Sequence, residues 1–260
     1  MKLVLLGDPV GHSRSPAIHT AALAQLDITG EYLARAVDRA GLHAAAEELR
    51  AGVLDGANVT MPHKRSAATL CDRLDRDAAA SRAANTLAMR DGTLVGWNTD
   101  VAALRVAGGR AEPERPILIL GAGGAAAAAL AAFHDAPMVL ISARRPGAAD
   151  RLIRELESSA IPVPWGTVEP DAVVVNATSL GMNDDALPQG VVEEASMLID
   201  LPYGPVPTPA SRAALAAGIP CVDGVDLLVA QAAESFRIWT GAEPPLDVMR
   251  TAARLETAAD

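Results

Sequence analysis

The sequence predicts an α/β fold in two domains, each built on strands that alternate with helices. Three observations lead there. Short apolar runs recur along the whole chain and are separated by helical stretches, the pattern of parallel, doubly wound sheets. Half of the 260 residues are hydrophobic but only 3% are aromatic, so the core is Ala, Val, Leu and Ile, which suits helices packed on buried strands. A glycine-rich turn between a strand and a helix near mid-chain begins a second βα series. The length allows one large domain or two of ordinary size.

Residues 2–6 form a short apolar run that ends at Gly7 and reads as a buried strand. Ser15-Pro16 opens a helix to about residue 26, with serine as N-cap and proline at the first helical position. Residues 31–37 predict a second strand, 41–51 a helix, and 56–60 a third strand leading into Lys64. Runs at 85–89 and 93–97 flank Asp91-Gly92, a strong hairpin signal. Asn98-Thr99-Asp100 closes this half and starts a helix. The second series has a strand at 117–120, the glycine turn at 121–124 and an alanine-rich helix at 125–133. Further strands are predicted at 138–142, 172–176, 197–200 and 219–222, followed by helices at 225–240 and 246–257.

The formal net charge of −10 argues against nucleic acid or an anionic membrane as partner, and any anionic ligand needs a local concentration of donors. Cys71 and Cys221 lie far apart, outside any metal-ligand spacing, which fits a reduced, cytoplasmic setting. The five histidines, His12 and His63 among them, form no ligand spacing, so no metal is expected. Met1 to Leu6 runs straight into a glycine turn without a basic-then-apolar leader, and no apolar stretch is long enough to span a bilayer.

Gly121-Ala122-Gly123-Gly124-Ala125-Ala126 fits G-x-G-x-x-A directly after a strand and at the opening of a helix. The glycines permit a tight turn and close backbone approach, and the helix N-terminus would face a pyrophosphate. A turn without a ligand is the competing reading. About twenty residues on, an NAD site usually carries Asp or Glu to hold the ribose hydroxyl. Here the chain has Ser142-Ala143-Arg144-Arg145. A carboxylate would repel a 2′-phosphate whereas a guanidinium grips it, so NADP(H) is favoured, against two solvated loop arginines as the alternative.

Only two of the 22 basic residues, Lys2 and Lys64, are lysines. Arginine is permanently charged, while a lysine amine in a cleft can release its proton, so Lys64 is a candidate proton donor. Small polar residues cluster where the strands of the first half end: Ser13, Ser15, Asn58, Thr60, Asn85, Thr86 and Asn98 to Asp100. Singly, each has a structural explanation, such as Ser15 and Thr99 as helix caps or Asp100 in a first helical turn. Together they make a donor-rich wall with one carboxylate and one amine, suited to a small polyhydroxylated acid.

With these residues in place the chain resembles the shikimate dehydrogenase family. Gly7 to Pro16 is similar to its G-x-P-x-x-H-S-x-S-P, Asn58 to Lys64 to its N-V-T-x-P-x-K, and Gly96 to Asp100 to its G-x-N-T-D. Gly121 to Ala126 and Asn176-Ala177-Thr178-Ser179-Leu180-Gly181-Met182 follow its glycine turn and its N-A-T-S-x-G-M. The run from Asp200 through Tyr203 to Thr208-Pro209 and the stretch around Gln231 complete the order. The resemblance implies a substrate domain of residues 1–100 plus 224–260 and a Rossmann-type NADP domain of residues 101–223. It implies reversible reduction of 3-dehydroshikimate to shikimate by NADPH, without metal, as a cytoplasmic monomer or homodimer. Carried over by position, Lys64 and Asp100 would be the catalytic pair. Ser13 and Ser15 would hold the substrate carboxylate, with Tyr203 nearby, and Thr60, Asn85, Asp100 and Gln231 would hold ring hydroxyls. The cofactor would lie against Gly121, Ala122, Gly123, Gly124, Ala125, Arg144, Arg145, Asn176, Thr178 and Gly224.

Several positions depart from the family pattern. Ala143 and Arg145 flank Arg144 where Asn and Thr are usual, Trp97 replaces a common Tyr, and Ala83 a usual Gly. Leu227 stands in place of Met, Thr20 follows His19 where Asn is frequent, and Ser15 is kept where quinate-using relatives often carry Thr. A quinate or aminoshikimate dehydrogenase on the same scaffold is the alternative among enzymes, and a non-catalytic NADP-binding sensor the alternative outside them.

Overall fold

The computed structural model describes residues 1–112 and 114–255. The chain divides into two compact units, Met1–Asp100 with the chain from Leu228 onward, and Val101–Leu227.

In the first unit the elements run β1 (Lys2–Gly7), α1 (Ser15–Gln25), β2 (Glu31–Ala36), α2 (Arg39–Arg50), β3 (Gly56–Val59), α3 (Lys64–Leu70), β4 (Arg73–Leu74), α4 (Arg76–Ser81), β5 (Thr86–Arg90) and β6 (Thr93–Trp97). They make a six-stranded sheet in the order β2-β1-β3-β5-β6-β4. β1 pairs in parallel with β2 and β3, while the β5–β6 hairpin adds two antiparallel steps. Val4, Leu6, Ala57, Val59 and Leu87 of the sheet share one apolar core with Leu42, Ala45 and Leu49 of α2. That packing follows from the helix's apolar residues at three- and four-residue spacing. The parallel β1–β3 pair ends at Gly7 and Val59, so the loops holding Ser13 and Lys64 leave the same edge of the sheet.

α5 (Thr99–Gly108) leads into the second unit, which contains β7 (Ile117–Leu120), α6 (Gly124–Ala132), β8 (Val139–Ser142), α7 (Ala148–Leu156), β9 (Ile161–Val163), β10 (Val173–Asn176), β11 (Met197–Asp200), α8 (Pro209–Ala217) and β12 (Cys221–Val222). Its sheet order is β12-β11-β10-β7-β8-β9 and every pairing is parallel. Counted from β7, that is the 3-2-1-4-5-6 order of dinucleotide-binding sheets, with the direction of winding reversing between β7 and β10. β7, β8, β10 and β11 are buried at every position, which explains their unbroken apolar runs.

α9 (Gly224–Thr240) and α10 (Leu246–Arg254) complete the chain. α10 lies against α1. The helix predicted over 246–257 ends at Arg254, and its residues 256 and 257 lie outside the described residues. No helix among the described residues is long and apolar enough to cross a membrane.

One helix start differs from the sequence reading. The N-cap of α1 is Arg14, and Ser15 is already helical with Pro16 behind it. Ser15 makes no capping bond: its backbone N–H donates to Ser13 Oγ at 3.3 Å, and its hydroxyl oxygen accepts from the Ser13 hydroxyl at 3.2 Å. Thr99 likewise sends its hydroxyl to the Asn85 side chain at 3.1 Å. The α5 start is met instead by Asn98, whose Oδ1 accepts from Asp100 N–H at 3.2 Å.

Candidate active site

Lys64 is the first residue of α3, and Asp100 the second of α5. The turn before Lys64 is fixed from both sides: His63 N–H donates to Thr60 O at 2.9 Å, and the His63 ring meets Val37 O at 2.8 Å. Lys64 Nζ then reaches Asp100 Oδ2 at 2.5 Å. The two side chains keep 21% and 17% of their surface, so the pair is sheltered but open to a small guest.

Behind the pair stands a buried polar network. Asn85 Nδ2 donates to Asp100 Oδ1 at 3.0 Å and, more weakly, to Gln231 Oε1 at 3.5 Å. Asn85 Oδ1 accepts from Thr99 N–H and from the hydroxyls of Thr99 and Thr86. Asn58 Nδ2 donates to Asn85 O, Thr86 Oγ1 and Ser235 Oγ at 3.0 to 3.1 Å, while Tyr32 O–H donates to its Oδ1 at 2.8 Å. Ser235 Oγ also lies 2.8 Å from Thr86 Oγ1 and donates to Gln231 O. Polar atoms taken out of water are costly unless bonded, so this mutual pairing fixes one arrangement of α9, β3, β5 and α5 around Asp100.

The structure therefore brings Lys64, Asp100, Asn85 and Gln231 into one bonded set. Thr60 sits on the turn that carries Lys64, half-buried, and its hydroxyl has no partner among the described residues. Ser13 and Ser15 pair with each other. Tyr203 belongs to the second unit and is half-buried on the loop after β11. Sequence reasoning assigns nothing to Ser235, although a serine one helical turn beyond Gln231 in an apolar helix is a detectable signal. Asn58 and Thr86 stand out in the sequence only as members of a cluster. Their role as the floor beneath Asn85 depends on pairing between β3 and β5, which periodicity does not reveal.

In the second unit the glycine turn leaves the end of β7. Gly121 has φ +120, and a Cβ there would stand 2.7 Å from Ala177 O, so only glycine lets the turn pass the loop after β10. Gly123 is the N-cap of α6 without any side-chain cap, and a Cβ on Gly123 or Gly124 would meet nothing within 4 Å. Ala122 and Ala125, beside them, are half-buried. The first N–H groups of α6 thus face an open cradle, which fits a pyrophosphate. Arg144 and Arg145 are exposed just beyond β8, and their guanidinium groups have no partner among the described residues. Two free cations in a chain of charge −10 fit an added phosphate.

Asn176, at the end of β10, is fully buried and has its amide engaged throughout. Nδ2 donates to Asp200 Oδ1 and Leu180 O, and Oδ1 accepts from Thr178 N–H and Oγ1. The amide therefore shapes the loop after β10 and has no capacity left for a direct bond to a ligand. Gly224 opens α9 with the carbonyls of Leu201 and Pro202 against its α-carbon. Among the described residues no group of three or more His, Cys, Asp or Glu could hold a metal.

The chain is similar to known proteins along nearly its whole length. The family described as shikimate dehydrogenase substrate binding domain matches residues 5–87, and that described as shikimate 5'-dehydrogenase C-terminal domain matches 224–254. The chain is 42% identical to a shikimate dehydrogenase (NADP(+)) from Anaeromyxobacter sp. (strain Fw109-5), with 95% of this chain and 94% of the relative covered. It is 37% identical to the enzyme of that name from Bacillus licheniformis, over 95% and 94% of the two chains. Among solved structures, shikimate 5-dehydrogenase from Thermus thermophilus in complex with NADP(H) and shikimate superposes with a TM-score of 0.86 at 34% identity, covering 98% of both chains.

Proposed function

Because this chain belongs to the shikimate dehydrogenase family, we propose that Lys64 and Asp100 are the proton-transfer pair of its reaction. The protein is an oxidoreductase that reversibly reduces 3-dehydroshikimate to shikimate with NADPH as cofactor. The observation that carries the site is the 2.5 Å contact of the lysine with a carboxylate that is itself held by Asn85.

Hydride reaching the ketone carbon, the chemistry that bound NADPH contributes, leaves negative charge on the carbonyl oxygen. The Lys64 ammonium has three donors, of which Asp100 takes one. The others are available to stabilise that oxygen and then protonate it. Asp100 keeps the ammonium directed, and Asn85 and Asn98 hold Asp100 in turn. Asn85 contributes to ligand binding through its second amide proton, which is spent on the long 3.5 Å contact to Gln231 and is easily released to a ring hydroxyl. Thr60 and Gln231 supply further hydroxyl contacts, and Ser13 and Ser15 take the carboxylate.

We assign substrate binding to residues 1–100 plus 224–260, and NADP binding to 101–223. Backbone N–H groups of Gly121 to Ala125 hold the pyrophosphate, and Arg144 and Arg145 the 2′-phosphate. Thr178 and Gly224 border the cofactor, and Asn176 acts through the loop it shapes. The free thiols of Cys71 and Cys221 support a reducing, cytoplasmic setting. The acidic balance supports a small-molecule enzyme without a nucleic-acid partner.

Steady-state oxidation of shikimate and of quinate, each with NADP⁺ and NAD⁺, tests the reading. Shikimate with NADP⁺ is expected to give the highest kcat/KM. Faster turnover of quinate would reassign the substrate. Tight NADP⁺ binding without turnover of either acid would make the protein a sensor.

A further inference from the structure

Asp200 closes β11 directly opposite Asn176 at the end of β10. Its side chain is buried completely. Oδ1 accepts from Asn176 Nδ2 at 2.8 Å, and Oδ2 accepts from Ser211 Oγ at 2.8 Å and from Thr208 Oγ1 at closer range. None of these partners is a cation, and the nearby Asp223 is of like charge. Burial pushes the carboxyl above its usual range, against the hydrogen bonds from Thr208, Asn176 and Ser211. A carboxylate kept dry on neutral donors is an expensive way to stabilise a strand end, and an apolar residue would fill the space more cheaply. What it does achieve is connection.

Through Asn176, Asp200 governs the loop after β10. The Asn176 amide binds Leu180 O and Thr178, and Thr178 Oγ1 accepts from Leu180 N–H at 3.0 Å. Through Thr208, it governs the start of α8, because the same hydroxyl caps the helix by accepting from Ser211 N–H at 3.0 Å. The two branches meet again at Gly181, where φ is +105 and a Cβ would stand 3.0 Å from Thr208 Cβ. The loop so held is the one whose Ala177 carbonyl presses on Gly121, and Ala177 N–H donates to Leu120 O at 2.9 Å.

We infer that Asp200 is a positioning residue for the cofactor: acting through Asn176 and Thr208, it holds residues 177–182 in the shape against which the glycine turn is built. This rests on the reading of that turn as the NADP site. Removing the carboxylate leaves the Asn176 amide and two hydroxyls without their acceptor, and the loop is then free to reorganise.

The test is titration of NADPH by fluorescence, with separate KM values for NADP⁺ and shikimate. Asp200→Ala is expected to raise the NADPH Kd and the NADP⁺ KM about tenfold, with the shikimate KM within about twofold of wild type. Asp200→Asn keeps one oxygen for the Asn176 amide and is expected to recover most of the affinity. NADPH binding by folded Asp200→Ala within about twofold of wild type would overturn the inference, as would equal rises in both KM values. Should Asp200→Ala not fold, Thr208→Val decides. It removes one donor from the carboxylate while keeping the shape, and an unchanged NADP⁺ KM in that variant overturns the inference. Failure of the wild type itself to bind NADPH would instead remove the cofactor reading beneath it.

Discussion

At the scale of single residues the proposed chemistry rests on one amine. Lys64 can both stabilise an alkoxide and release a proton, whereas a guanidinium at the same place does only the first. Lys64→Ala is therefore expected to lower kcat by roughly 10²–10⁴ with a smaller effect on shikimate binding, and Lys64→Arg is expected not to restore it. Near-normal turnover in either variant would remove Lys64 from the reaction. Arg144 offers a second test. Arg144→Ala is expected to raise the KM for NADP⁺ far more than that for NAD⁺, and equal changes would show that it does not hold the 2′-phosphate. His19 affects stability instead. It is fully buried, neither ring nitrogen has a partner among the described residues, and burial lowers its pKa from 6.5 to about 3. With the folded value depressed, the unfolded chain takes up a proton below pH 6.5 that the folded chain refuses. Stability is thus fully present above that value and is lost as pH falls toward about 3. Urea unfolding of wild type against His19→Leu should show the wild type losing about 2 kcal/mol relative to the variant between about pH 7.5 and about pH 5. Parallel pH profiles would mean that His19 is hydrated or charged in the fold.

Elements are legible where sequence carries a local signal, and hidden where tertiary partners decide. β7, β8, β10 and β11 announce themselves as apolar runs because both faces of their sheet are covered, whereas β9, largely exposed at the sheet edge, carries no such run. β4 and α4, of two and six residues, are too short to show a period at all. α7 starts from Gly147 at φ +67 without a capping side chain, so nothing in its sequence marks the beginning. α8 is different, since Thr208, Pro209 and Gly218 form a full set of start and stop signals that a reading led by apolar runs passes over. The Lys64–Asp100 ion pair proposed for proton transfer is legible as residue types. Its supporting network is legible only in part: Asn58, Thr86 and Thr99 stand in the polar cluster of the sequence, but Ser235 and the pairing among them depend on contacts of β3, β5, α5 and α9. α9 is fastened there by rings as well. In a chain with two tyrosines, two phenylalanines and three tryptophans, Tyr32, Phe236 and Trp239 surround His19. The sharpest test at this scale is the glycine turn. Gly121→Ala forces a Cβ to within 2.7 Å of the Ala177 carbonyl at a φ that side chains rarely adopt. It is expected to weaken NADPH binding at least about tenfold while sparing shikimate binding, and unaltered NADPH affinity would show that the turn is not the cradle.

For the whole molecule, two compact units with separate sheets imply separate responses to the two ligands. A ligand that binds only the folded form stabilises by an amount set by its concentration relative to Kd, about 2.7 kcal/mol at a hundredfold excess. That gain falls first on the local openings of the unit whose groups the ligand ties down. Amide hydrogen exchange reads the effect segment by segment. NADP⁺ alone is expected to slow exchange in residues 101–227, most of all in the turn at 121–125 and the loop at 177–182, because these surround the cradle at the β7–β10 reversal. Shikimate alone is expected to protect residues 60–64, 85–86, 98–100 and the α9 turn around Gln231, which share the bonded set behind Lys64. Should NADP⁺ protect mainly the first unit, or shikimate mainly the second, the division of labour between the units would be reversed. The proton-transfer role given to Lys64 and Asp100 would then have to be abandoned as well.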